Sequence, residues 1–189
     1  ANYLKYSQSF DIEIQPTIST ISLDNDSATS AGTTEIYSKY SVGFSLEYDN
    51  LFMSTTENPI KVPKKENYVF NGYYLTGNAR NPYIDSNGFI TSFADALNFE
   101  TDGTLYARYV EAKFLNVDKG EYYLTLKDAV ADAKDEDTIQ ILTDYTDSSD
   151  VSIDKTLTFD TNGKTLTRDN SIIINEDITF TIIGAGKIT

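Results

Sequence analysis

Apolar and polar positions alternate with a period of two along most of this chain, and one stretch breaks into a helical period. Residues 1–17 carry Tyr3, Tyr6, Phe10, Ile12 and Ile14, the last three in strict alternation, and stop at Pro16. That pattern predicts a lead-in strand or linker. Ile18, Ile21 and Leu23 predict a second strand, and Asp24–Thr33, rich in Asp, Ser, Thr and Gly, a loop. Glu35–Tyr40 and Val42–Tyr48 read as strands around Gly43, followed by a polar turn at Asp49-Asn50. Tyr68-Val69-Phe70 is β-branched and aromatic, Asn71-Gly72 is a turn pair that allows positive φ, and Tyr73-Tyr74-Leu75 resumes the strand. Residues 76–100 read mostly as connection, with a turn at Asp85–Gly88, a short strand at Phe89–Thr91 and a helical turn within Ser92–Leu97. Leu105–Tyr109 alternates again.

The character changes at Glu111–Asp118. Thr125-Leu-Lys-Asp128 has the form of a capping box, and Leu126, Ala129, Val130 and Ala133 fall on one helical face. Thr138–Leu142 reads as a strand after the helix. Beyond it the pattern repeats: a shift of 23 places Leu157 on Phe180, Phe159 on Ile182, Gly163 on Gly186 and Lys164 on Lys187. Periods of this size mark stacked rungs, each too thin to bury its own apolar face. Ile139, Ile141, Leu157, Phe159, Phe180 and Ile182 are the predicted interior of such a stack. In the first half the predicted core is Tyr68, Phe70, Tyr73, Leu105 and Tyr106, and Phe114 and Leu115 are predicted contacts where the halves meet.

Two stretches carry a resemblance. Val62-Pro63, Tyr68-Val-Phe-Asn-Gly-Tyr-Tyr74 and Leu105-Tyr-Ala-Arg-Tyr109 follow the frame V-P-x-x-x-G-Y-x-F-x-G-Y-Y … L-Y-A-x-W. Asn67 stands for the first glycine and Tyr109 for the terminal Trp. This segment resembles the Listeria–Bacteroides repeat, the B-repeat of internalin-type bacterial surface proteins, and Ser22–Tyr40 resembles the upstream part of its longer form. Glu121–Leu142 resembles the capping helix and first strand of the right-handed β-helix of bacterial surface adhesins, and Thr156–Thr167 resembles one of its rungs. The resemblance implies a mainly β protein with a lead-in (1–17), a β-grasp-like B-repeat domain (18–112) and a short helix-capped right-handed parallel β-helix, a truncated solenoid (113–189). It further implies a non-catalytic stalk, spacer or adhesion module of an exported protein, extracellular, at the cell surface of a Gram-positive bacterium.

Composition narrows the chemistry. Fifteen Lys and Arg against 29 Asp and Glu leave a net charge of −14, which repels nucleic acid and anionic membranes. No stretch reaches the roughly eighteen apolar residues of a membrane span, so membrane insertion is not expected. Cys, His and Trp are absent, which removes a Ser-His-Asp triad, a thiol nucleophile and the usual zinc sites from within this chain. The lack of Cys suits an exported protein and equally a Cys-free cytosolic one. The chain opens at Ala-Asn-Tyr and ends at Gly-Lys-Ile-Thr inside a strand pattern, which reads as a piece of something longer or a processed product.

Fourteen Tyr and ten Phe could include a stacking platform for a glycan or a host surface protein, and Tyr73, Tyr74, Tyr83 and Tyr106 are its candidates. Cross-strand packing gives the same rings a structural use, worth roughly 0.2–1 kcal/mol per pair. Asp24-Asn25-Asp26, Asp85–Gly88 and Asp135-Glu136-Asp137 offer oxygen ligands, but none continues into an EF-hand loop, and turn formation uses the same side chains. No metal or cofactor is expected. Asp154 and Asp177 lie one period apart and could form a carboxylate pair, although fold analogy alone does not make an enzyme. An uncapped last rung would expose strand edges, so self-association through the open solenoid end is expected.

Overall fold

A computed structural model describes residues 17–40, 42–48, 51–52 and 57–189. The predicted lead-in over residues 1–16 and the turn at Asp49-Asn50 lie outside the described residues. The protein is mainly β, with mixed sheets and one short helix among the described residues.

The first six strands are β1 (Ile18–Asp24), β2 (Glu35–Lys39), β3 (Gly43–Glu47), β4 (Leu51–Phe52), β5 (Tyr68–Tyr74) and β6 (Gly103–Glu111). They form one sheet in the order β4-β3-β2-β1-β6-β5, antiparallel except where β1 runs parallel to β6. Alternation puts Ile21, Leu23, Ile36, Phe44 and Leu105 on one face. That face needs a cover, and residues 75–102 supply it. Tyr83, Ile84, Ile90, Ala96 and Phe99 from this irregular stretch are buried in the same cluster. Phe44, Tyr83 and Phe99 meet edge to face, with centroids 6.0–6.3 Å apart. The predicted connection is thus the second layer of the unit, with a single 3₁₀ turn at Ala96–Asn98.

Asn71-Gly72 does not reverse the chain. Strand β5 runs through it, and the register against β6 slips between Phe70 and Tyr73. Gly72 sits at φ +106°, and a Cβ there would lie 2.5 Å from the Ile84 carbonyl oxygen. This is a bulge, the use of glycine where another backbone comes close. It lets Phe70 and Tyr73 both enter the core, their rings 5.2 Å apart. Two predicted core residues are corrected. Tyr106 is 45 % exposed because its neighbours Leu105 and Ala107 take the inner face of β6, and Tyr68, at the outer end of β5, is 40 % exposed.

The rest of the chain makes β7 (Phe114–Asn116), β8 (Glu121–Tyr123), helix α1 (Leu126–Asp132), β9 (Thr138–Ile141), β10 (Tyr145–Asp147), β11 (Val151–Ile153), β12 (Leu157–Asp160), β13 (Thr165–Arg168), β14 (Ile172–Ile174), β15 (Phe180–Ile183) and β16 (Lys187–Ile188). Three small groups of parallel strands recur in a fixed order: β9-β12-β15, β10-β13-β16 and β11-β14. Leu157 lies level with Phe180 and Phe159 with Ile182, the register that the 23-residue shift predicts. Lys187, however, lies level with Thr165 and not with Lys164, because the turn before β16 is one residue shorter than the turn before β13. The antiparallel β7–β8 hairpin flanks β9. The Thr125 hydroxyl accepts from the Asp128 amide at 3.1 Å and donates to the Asp128 carboxylate at 2.6 Å. Leu126, Ala129, Val130 and Ala133 close one end of a second buried cluster, which also holds Phe114, Ile139, Ile141, Val151, Ile153, Leu157 and Phe159. Phe114 therefore belongs to this core, against Tyr145, rather than to a contact between the halves. At the far end Phe180 is half-buried and Ile182 54 % exposed, because β15 is the last strand of its sheet.

Carboxylates tie successive turns together. Asp118, Asp135 and Asp144 accept from the amides of Thr138, Thr156 and Thr165 at 2.7–2.8 Å, each reaching the following turn of chain. The buried pair Asp147–Arg168 does the same, at 2.6 Å, while the guanidinium also donates to the carbonyls of Ser149 and Ser171. Burial alone would raise the Asp147 carboxyl. Hydrogen bonds from the Ser149 hydroxyl and amide, with Arg168, hold it below the usual carboxylate range instead. Asp132 and Asp137 are also depressed.

Four outcomes follow from this packing. Tyr73 is fully buried, and among the described residues its hydroxyl is the buried side-chain polar atom without a partner. Tyr73→Phe is therefore neutral or stabilising in denaturant titration, whereas Phe159→Ala costs about 3–5 kcal/mol. A depressed carboxylate adds stability that is present above its unfolded pKa of about 4 and is lost as pH falls through its lower folded value. Unfolding free energy therefore declines below about pH 4, and Asp147→Asn both flattens that decline and lowers neutral-pH stability by about 3–5 kcal/mol.

Candidate functional site

The two halves of the chain meet at a cleft. Its first wall is the segment leading into β5. Lys64 is held against Ser30 by a reciprocal backbone pair, N to O at 2.8 and 3.0 Å, and Pro63 is buried beside it. Lys65 reaches back to the Asp26 carboxylate at 2.9 Å, with its ammonium 5.0 Å from the Tyr109 ring centre and 5.5 Å from that of Tyr68. The second wall is the β7–β8 turn and the start of β8, an edge strand of its sheet. The Ala112 amide donates to the Asn67 carbonyl at 2.9 Å, and Lys64 forms an ion pair with Glu121 across the mouth.

The space between the walls measures ≈ 460 Å³. Val62, Pro63 and Phe70 contribute apolar lining, and Tyr68 and Tyr122 line it with Lys64, Lys65, Glu66 and Glu121. Glu121 and Tyr122 also line a second hollow, with Lys119, Tyr123 and Asp132. There the Tyr123 hydroxyl donates to Asp132 at 2.5 Å and the Lys119 ammonium donates to the same carboxylate at 2.7 Å. These bonds keep Asp132 ionised, the one from Lys119 most, while burial first and then the hydrogen bond to Asp132 push the Tyr123 phenol up. The trio fixes the C-terminal end of α1 to β8.

The tyrosines singled out in the sequence do not assemble into one exposed platform. Tyr73 and Tyr83 are core residues, and the Tyr83 hydroxyl accepts from Asn98 Nδ2 at 2.6 Å. Tyr74 is buried under the Arg108 guanidinium, 3.7 Å from its ring centre, and its hydroxyl donates to the Asn71 carbonyl at 3.1 Å. Tyr106 alone of the four offers much of its ring to solvent, on a small groove with Asp24, Asp26 and Gly77. Tyr68, Tyr122, Lys64 and Glu121 were missed as a group, because residues 64 and 121 converge only through tertiary contact. The paired Tyr122-Tyr123 beside Glu121 was the signal available.

The acidic stretches serve turns. Asp24 accepts from the Asp26 amide at 3.0 Å, and Asp85 accepts from the amides of Asn87 and Phe89 at 2.9 and 3.0 Å. Among the described residues no three His, Cys, Asp or Glu side chains are grouped to hold a metal ion, and no helix is long and apolar enough to cross a membrane. Asp154 and Asp177 are not brought level. Ile153 pairs with Ile174 and Leu157 with Phe180, so Asp154 opens a turn of three residues (154–156), whereas Asp177 is central in one of five (175–179). Asp154 instead lies 3.7 Å from the Lys155 ammonium.

No family model, curated protein or solved structure matches the chain.

The Lys64 and Glu121 side chains are 60 % and 40 % exposed, so their bridge adds little to stability. A double-mutant cycle with Lys64→Ala and Glu121→Ala should give a coupling of about 0.2–1 kcal/mol that shrinks as salt is raised.

Proposed function

We propose that the chain is a non-catalytic segment of an exported bacterial cell-surface protein and serves as a stalk, spacer or adhesion module. On this reading residues 18–112 are a B-repeat-like β domain with a β-grasp-like sheet, and residues 113–189 are the start of a helix-capped right-handed parallel β-helix. The observation that carries it is the arrangement of two separate apolar clusters in chain order. One is made of residues 21–107 and the next begins at Phe114. The second is built from strands that recur in the same order every 20–23 residues, as the pairs Thr138–Thr158 and Leu157–Phe180 illustrate. Serial units with contacts mainly to their neighbours suit a part that adds length and presents other parts. The B-repeat frame in Val62–Tyr74 and Leu105–Tyr109 supports the same assignment to the cell surface.

An antibody raised against the purified chain tests it. Labelling of intact source cells, removed by brief protease treatment of those cells, is the expected result. Labelling that needs lysis would overturn the proposal.

A further inference from the structure

We infer that the cleft between the β5 lead-in and the β7–β8 turn binds a short neutral oligosaccharide. This goes beyond the stalk assignment and can fail independently of it. The cleft volume of ≈ 460 Å³ lies within the roughly 300–1,000 Å³ of small-ligand sites. Its lining has the two kinds of surface a sugar ring presents in reverse. A pyranose offers a flat C–H face and an equatorial rim of hydroxyls. Tyr68 and Tyr122 supply amphipathic rings for the face, and Val62 adds apolar lining. Lys64, Glu66 and Glu121 supply charged donors and acceptors for the rim, where hydrogen bonds to ionised groups are the stronger kind.

The mouth is easily re-paired. Lys64 and Glu121 neutralise each other in an exposed bridge, so turning either toward a hydroxyl sacrifices little. Tyr68 is 40 % exposed, and its ring is positioned beside Lys65. Neutral rather than acidic sugars are implied, because Lys64 and Lys65 balance Glu66 and Glu121 in the lining while the whole chain carries −14. An extended peptide is a poorer fit on the β5 side. The outer edge of β5 is already used where the Tyr68 amide donates to the Lys65 carbonyl and Tyr73 exchanges bonds with Tyr83 and Ile84. No continuous edge remains there for an added strand.

Calorimetric titration of the full chain with chitotriose, cellotriose and maltotriose, alongside a sulfated heparin tetrasaccharide, tests this. The expected result is saturable binding of at least one neutral sugar, weakened tenfold or more by Tyr68→Ala and by Tyr122→Ala. Tyr68→Phe should retain it, since the ring and not the hydroxyl is required, and Tyr106→Ala should leave it unchanged. Melting curves of all variants establish that each is folded. The proposal is overturned by no saturable neutral-sugar binding below about 10 mM, by a preference for the sulfated sugar, or by binding that survives both alanine substitutions in folded protein. Any of these results leaves the cell-surface assignment standing, because that rests on cell labelling.

Discussion

A sheet with one apolar face has to find something to lay over it, and both halves of this chain are organised around that requirement. In the first half no α-helix among the described residues does the covering. A 28-residue irregular stretch, 75–102, folds back instead and buries Tyr83, Ile84, Ile90 and Phe99 on the sheet. In the second half each turn of chain covers the one before it, and α1 covers the first. The tight bulge at Gly72 follows from the same need, since the covering segment passes against the backbone of β5.

Stacking thin turns leaves their corners to be joined by something other than apolar burial. Here aspartates do it. Asp118, Asp135 and Asp144 each take an amide at or just before the start of a strand in the next turn, and Asp147 takes a buried arginine. An acidic composition that reads as a solvated surface is thus partly a set of turn-to-turn acceptors. The usual association of acidic clusters with cations has no purchase where the oxygens already point at backbone amides.

Regular features were legible in the sequence. The 23-residue shift returns as the Leu157–Phe180 and Phe159–Ile182 pairing, and the face Leu126–Ala129–Val130–Ala133 is the buried face of α1. Both depend on local periodicity, which a linear chain displays. The Asn71-Gly72 pair was misread as a turn because the composition of a bulge and of a hairpin is the same. Which tyrosines face solvent was not legible either. That is decided by a register slip in β5 and by strand phase in β6, so Tyr73 is interior while Tyr68 and Tyr106 are not. The cleft was invisible for another reason: its walls come from residues near 64 and near 121, with no shared pattern.

The parallel pair in the first sheet has a mechanical meaning. Strands β1 and β6 lie side by side and parallel, with Ile21 opposite Gly103 and Asp24 opposite Tyr106. The described chain enters at the start of β1 and leaves toward the second half from the end of β6. Tension applied through those two ends would pull the strands past each other along their length. Their ladder would be loaded in shear, all rungs at once, rather than opened like a zipper one bond at a time. A unit wired in this way resists stretching more strongly than its thermodynamic stability alone would suggest, which is the property a tether under flow requires.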